Sequence, residues 1–467
     1  MKYTVLSNFK YSFVSQLVVL IFGIVRALVV PLILDVSGFG YWQIYLLYAG
    51  FVGIFSLGFN DGVYLRYGDL SKEQLPWDSL RGAIVVYLSV LVTISLLLNL
   101  SLEQLTFDTH KLLVVKYVIV NVFLMGCSSL YLFLYQTTNQ IKKYSIYMLV
   151  DKVIFIVILL FLHRYSEINF ETLMIIDCAS KLLLVLAMTI DVKKELFGAV
   201  VKATAALKEF YSNIGAGFWL MLANLASMLV LNISRFFVEQ FYSIEDFAAF
   251  SFGVTLTNIV LMALNGITVA LYPLLKRTSV EKYAQIYQEL NAILILLLTV
   301  FCIVYFPIKF FVITYMPKYS LVLGYFNILL VVSLIQIRMN LTITTFYKVL
   351  RKEGALLTLN IWTVFVGFVL SSAVVLLKLP VELIAVVLLL SVLFRLFVSD
   401  MYIKKHLGLK VEAIDFFELT LYLPFLIATY YNLTLITLIV LLFAGLIYIK
   451  YKGPHVMSAV HTFRELE

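Results

Sequence analysis

Apolar runs long enough to cross a bilayer follow one another along this chain, separated by short polar breaks. A span takes about 20 apolar residues. Fourteen runs meet or approach that length: 11–34, 41–59, 82–101, 112–135, 145–162, 172–190, 214–237, 247–272, 290–313, 322–346, 355–377, 381–403, 416–431 and 433–449. The thirteenth is short and holds Pro424. The pattern predicts an all-α polytopic membrane protein with about 14 transmembrane helices. The first run is too long for a cleavable signal peptide, and no small-residue cleavage site follows it.

The pattern also repeats. Arg26 lies inside the first run, followed by the break DVSGFGYW and a second run. Arg235, 209 positions later, lies inside the seventh run, followed by SIEDFAAF and another run. Tyr41 and Phe250 each stand 15 residues after their arginine, and Ser15 and Asn224 each stand 11 residues before it. Eleven helical steps end about 20° past three turns, so each polar residue should share a helix face with its arginine. Two six-helix lobes in parallel pseudo-repeat are expected, 1–190 and 214–403. Residues 404–467 would add two extra C-terminal helices and a tail. The connector 191–213 carries Phe197, Val200, Val201, Leu207 and Phe210 among four lysines, the pattern of a cytosolic amphipathic helix. Parallel repeats of this kind place substrate between the halves.

Composition agrees with the class. Mean hydropathy is +1.00, with 63% hydrophobic and 13% charged residues, against about 25% charged in a soluble chain. The net charge of +8 does not point to nucleic acid, because the basic residues sort into alternate loops. With the N-terminus in the cytosol, cytosolic segments hold 23 of the 35 Lys and Arg, and outer loops and span ends hold seven. Both termini are therefore expected in the cytosol of a multi-pass protein. Cys127, Cys178 and Cys302 are too scattered for a disulfide framework or a metal site.

Candidate chemistry lies inside the spans. An arginine at membrane depth costs about 2.5–3.5 kcal/mol on insertion scales, so something must compensate it. Arg26, Arg235, Arg338 and Arg395 are the candidate substrate-binding cations, with Ser15 and Asn224 beside the first two. Lys116 and Lys152 are expected to snorkel to the headgroups. Asp177 and Lys181, four apart, have the spacing of an ion pair. They and Asp61 are the candidates for coupling transport to an ion. No catalytic constellation, nucleotide fingerprint or metal motif is present, and no cofactor is implied.

Three stretches resemble bacterial polysaccharide transporters, the flippases of O-antigen and capsule repeat units: GFGYWQIYLLYAGFVGIFSLGFNDGVYLRYG at 38–68, NISRFFVEQFYSIEDFAAFSF at 232–252 and LYPLLKR at 271–277. The wider group is the multidrug/oligosaccharidyl-lipid/polysaccharide exporter (MOP) superfamily. The resemblance implies a V-shaped pair of lobes in the bacterial cytoplasmic membrane. It implies a polyprenyl-pyrophosphate oligosaccharide moved to the outer leaflet by alternating access, membrane lipid as partner, and a polysaccharide polymerase and chain-length machinery downstream. Arg26 and Arg235 match the arginines of the family's basic cavity. Guanidinium groups suit the task, because they stay ionised and bind phosphate through two parallel hydrogen bonds. The alternatives are a cation-coupled multidrug exporter of the same fold, a lipid II flippase, and a membrane polymerase or acyl transferase. The exporter would favour buried carboxylates over arginines, and the enzyme would need a polar cluster that the sequence lacks.

Overall fold

The computed structural model describes residues 2–68, 70–102, 108–411 and 417–466, and within them the side chains from 18 onward except 262–274, 276–277, 417–421, 455 and 459–466. Every regular element among the described residues is helical, and the chain divides into two compact units, Met1–Met228 and Leu229–Glu467.

The first unit holds α1 (Lys2–Ile33), α2 (Val36–Gly50), α3 (Phe59–Tyr67), α4 (Trp77–Ser101), α5 (Thr109–Thr137), α6 (Ile141–His163), α7 (Phe170–Asp191), α8 (Lys193–Leu196) and the start of α9 (Ala203–Phe241). Short connections are possible because side chains close the helix starts. Asp35, Asp108 and Asn169 each accept from a backbone N–H at the start of α2, α5 and α7, and each such cap is worth about 1 kcal/mol. Phe59 stacks on Tyr87 of α4 at 4.7 Å, inside a core that α4, α5 and α7 share with Leu80, Leu130 and Met188.

The second unit takes the rest of α9, then α10 (Ile244–Arg277), α11 (Tyr283–Phe301), α12 (Tyr305–Tyr315), α13 (Phe326–Arg338), α14 (Thr344–Val349), α15 (Glu353–Leu376), α16 (Glu382–His406), α17 (Phe417–Tyr430) and α18 (Thr434–Leu466). Its centre is the run from Phe326 to Val349, 89% of whose apolar window is buried. This run passes from α13 to α14 through a π-helical turn, Met339–Ile343, starting beside Arg338. Such turns are frequent at functional sites.

The fourteen runs all contain helix, and among the described residues eleven helices are long and apolar enough to cross a membrane, or twelve if a bent pair counts as one span. The thirteenth gives α17, Phe417–Tyr430, and residues 412–416 before it lie outside the described residues. Two expectations need correction. The second run is not one straight span, because α2 and α3 are bent by 55° around Leu57 and Gly58, both with left-handed φ. Residues 191–213 do not form one amphipathic helix: α8 ends at Leu196, and α9 starts at Ala203 and continues unbroken to Phe241.

Candidate functional site

The first unit gathers charges around Asp177. Its carboxylate is 6% exposed and sits on α7. Lys181, one turn on, gives its ammonium to Asp177 Oδ2, as the four-residue spacing implies. Tyr45 of α2 donates to the same oxygen at 2.5 Å, and Asn121 of α5 donates to the Tyr45 hydroxyl. Arg26 reaches Asp177 Oδ1 at 3.4 Å, the longest of these contacts. Its guanidinium lies 4.5 Å from the Phe155 ring centre and 4.8 Å from that of Trp42, within cation–π range. Its side chain is 30% exposed, and its Nε has no hydrogen-bond partner. Arg26, Lys152, Asp151, Asp177 and Ser180 line a cavity of about 70 Å³. Lys152 bonds Asp151, its neighbour in sequence, at 3.1 Å. Three cations and two carboxylates leave this group with an excess of one positive charge.

The second unit builds a similar group on α16. Asp400, also 6% exposed, meets Arg338 of α13 at 3.1 Å and Lys404 at 2.8 Å. Tyr287 of α11 donates to Asp400 Oδ1 at 2.6 Å. Arg338 is 2% exposed, and its Nε donates to Asn291 at 3.1 Å. The sequence reading missed Asp400, Lys404 and Tyr287. The signal was present, since Asp400-x-x-x-Lys404 repeats the Asp177-x-x-x-Lys181 spacing on the sixth span of the other half.

The other candidates are dispersed. Arg395, 3% exposed, donates to Gln336 Oε1 at 3.3 Å, and its Nε has no partner. Gln336 in turn donates to Asn340 in the π turn at 3.0 Å. Arg235 donates to Asn232 at 3.4 Å and Ser251 at 3.3 Å. Asn224 lies exposed on the same helix. The side chain of Ser15 lies outside the described residues. Asp61, the third residue of α3, is 8% exposed, in the first helical turn where negative charge is favoured. In the second unit, Asn327, Leu389, Leu393, Tyr422, Leu426 and Tyr430 are among the mostly apolar residues lining a cavity of about 950 Å³ along α13, α16 and α17.

This architecture is that of a multi-pass membrane protein, and its fold is similar to those of solved transporters of the MOP superfamily. The lipid II flippase MurJ in its inward closed conformation matches with a TM-score of 0.65 at 12% identity, over 96% of this chain and 99% of that one. An inward-facing MATE multidrug transporter gives 0.55 at 11% identity, over 84% and 94%. The Vibrio cholerae MATE transporter VcmN gives 0.53 at 14%, over 87% and 97%. No curated protein sequence matches the chain. The chain belongs to the polysaccharide biosynthesis protein family, whose model matches residues 5–279, more than half of its length.

Proposed function

We propose that the protein is a flippase carrying a polyprenyl-pyrophosphate-linked oligosaccharide from the inner to the outer leaflet of the bacterial cytoplasmic membrane, for O-antigen or capsule assembly. Six-helix lobes at 1–190 and 214–403, with both termini in the cytosol, would move by alternating access. The observation that carries this reading is Arg26 within a chain of this family. A guanidinium inside a span keeps a third of its side chain exposed and holds its carboxylate at 3.4 Å, beyond the usual length of a charge-assisted bond. A phosphate arriving at Arg26 can displace that long contact, while Lys181 and Tyr45 keep Asp177 compensated. Arg235 and Arg395 join Arg26 as proposed binding cations, and Arg338, enclosed with Asp400, holds the second unit together. The apolar cavity along α16 and α17 offers a place for a polyprenyl tail. Asp177, Lys181 and Asp61 remain the proposed groups for coupling to an ion.

A second reading, a lipid II flippase, is favoured by the extent of the structural match to MurJ. Both readings take a lipid-linked sugar, so one experiment separates them. The protein is expressed in strains lacking a repeat-unit flippase and in a strain depleted of its lipid II flippase. The first reading predicts restored surface polysaccharide and no rescue of growth on depletion. Rescue of growth alone would transfer the assignment to lipid II, and rescue of neither would remove the flippase reading.

A further inference from the structure

The second span of the first unit breaks where it meets α9. Leu57 and Gly58 have φ of 52° and 81°, and past them α3 lies backbone to backbone against the first half of α9. A Cβ on Gly62 would stand 1.8 Å from the Asn213 carbonyl oxygen, and one on Gly217 would stand 2.0 Å from that of Gly58. Beside this backbone contact the Phe59 ring of α3 packs on Phe210 of α9 at 5.5 Å, so parting α3 from α9 opens one ring pair as well as the polar groups at its end.

Polar groups close the far end of this contact. Arg66 Nη1 donates to Glu209 Oε1 at 2.6 Å and to Asn213 Oδ1 at 2.9 Å, and Nη2 donates to Glu209 Oε2 at 3.3 Å. The Tyr67 hydroxyl donates to Glu209 Oε1 at 2.5 Å, and Asn213 Nδ2 donates to the same oxygen at 2.9 Å. One carboxylate thus gathers three side chains from two helices. The forked arginine fixes direction as well as energy. The helix it holds is unbroken from the first unit into the second, passing the Met228–Leu229 boundary inside α9.

We propose that Arg66, Tyr67, Glu209 and Asn213 form a releasable clasp. Closed, it pins the first half of α9 to the broken second span. Released, it lets the two separate along the glycine contact. Conformational change of this kind needs an element with two discrete arrangements, and a close backbone contact shut by one polar group and one ring pair is such an element.

Ser56, 8% exposed and two residues before Gly58, reports the opening. The test places Ser56→Cys in the full chain with Cys127, Cys178 and Cys302 replaced by alanine, and follows labelling by a membrane-impermeant maleimide in inside-out vesicles. The expected result is slow labelling with the clasp intact, labelling at least tenfold faster with Glu209→Gln, and a return towards the slow rate in the charge-swapped pair Arg66→Glu with Glu209→Arg. Labelling of Glu209→Gln at the parent rate would overturn the proposal. So would a swapped pair that labels as fast as Glu209→Gln, because general loosening would then explain the rise. The measurement uses no substrate, so it stands or falls separately from the flippase reading.

Discussion

The two units solve one problem in two ways. Each sets an aspartate and a lysine one turn apart on its sixth expected span, and each brings an arginine and a tyrosine from other helices to the same carboxylate. Around Asp400 the contacts are short and the arginine is enclosed, with Arg338 2% exposed. Around Asp177 the lysine and tyrosine are close, but the arginine is at 3.4 Å and 30% exposed. A charge that is fully paired and enclosed fixes a structure. A charge that is loosely paired beside a cavity can change partners. The positions along the helix differ too: Asp177 is seven residues past the start of α7, and Asp400 is six residues before the end of α16. Equivalent spacing therefore does not place equivalent chemistry at one point along the helix.

The sharpest test of this contrast removes each carboxylate. Asp400→Asn should destabilise the protein by about 3–5 kcal/mol, because it leaves Arg338 and Lys404 buried beside a neutral amide. Thermal unfolding in detergent reads it. Asp177→Asn should cost clearly less stability, since Arg26 keeps its aromatic contacts and access to the cavity. Equal losses at the two sites would erase the distinction. Next in size is a functional effect. Arg26→Ala should abolish surface polysaccharide while the protein still inserts and accumulates, and Arg26→Lys should retain part of it, because lysine lacks the planar fork. Arg338→Lys should instead reduce the amount of folded protein, and full export by Arg26→Ala would rule out a binding role. Smaller again is Tyr45→Phe. It removes one donor from Asp177 and deprives Asn121 of an acceptor, for a loss of about 1–3 kcal/mol, measured by the same unfolding assay.

The sequence made the class and most helix positions legible because hydrophobic length is a strong local signal. The bend at Gly58 was not legible in that signal, since GIFSLGFN continues an apolar run and the break depends on backbone angles and on α9 lying against it. The Asp177–Lys181 pair was readable because both residues sit on one helix. Arg26 joining it was not, because that contact spans 151 positions. Arg338 was selected as a substrate-binding cation from its place in the middle of a span, and the structure encloses it beside Asp400 at 2% exposure. Its partner was overlooked because Asp400 lies near a span end, where a carboxylate looks solvated. Asp61, also near a span end, was picked out as a coupling candidate and is 8% exposed.

The smallest expected effect lies outside the spans, where neither charge cluster is involved. Glu195 of α8 bonds Lys72, and its backbone carbonyl accepts from Arg81 Nε at 2.6 Å. Burial pushes the Glu195 carboxyl up, but the Lys72 ammonium outweighs it and holds the group below the ordinary value of 4.5. A depressed carboxyl stabilises the fold above its unfolded pKa and loses that contribution as pH falls through the folded one. Glu195→Gln should therefore lower stability at pH 7 by no more than about 1 kcal/mol, the range of exposed ion pairs. The gap to the parent should narrow as pH drops below about 4.5. Unfolding midpoints at pH 7 and across the acid limb measure it. Because Glu195 pairs with Lys72 and touches neither charge cluster, the gap should be the same in the Arg26→Ala background. A gap that depended on Arg26 would mean that the connector and the Asp177 group act as one network.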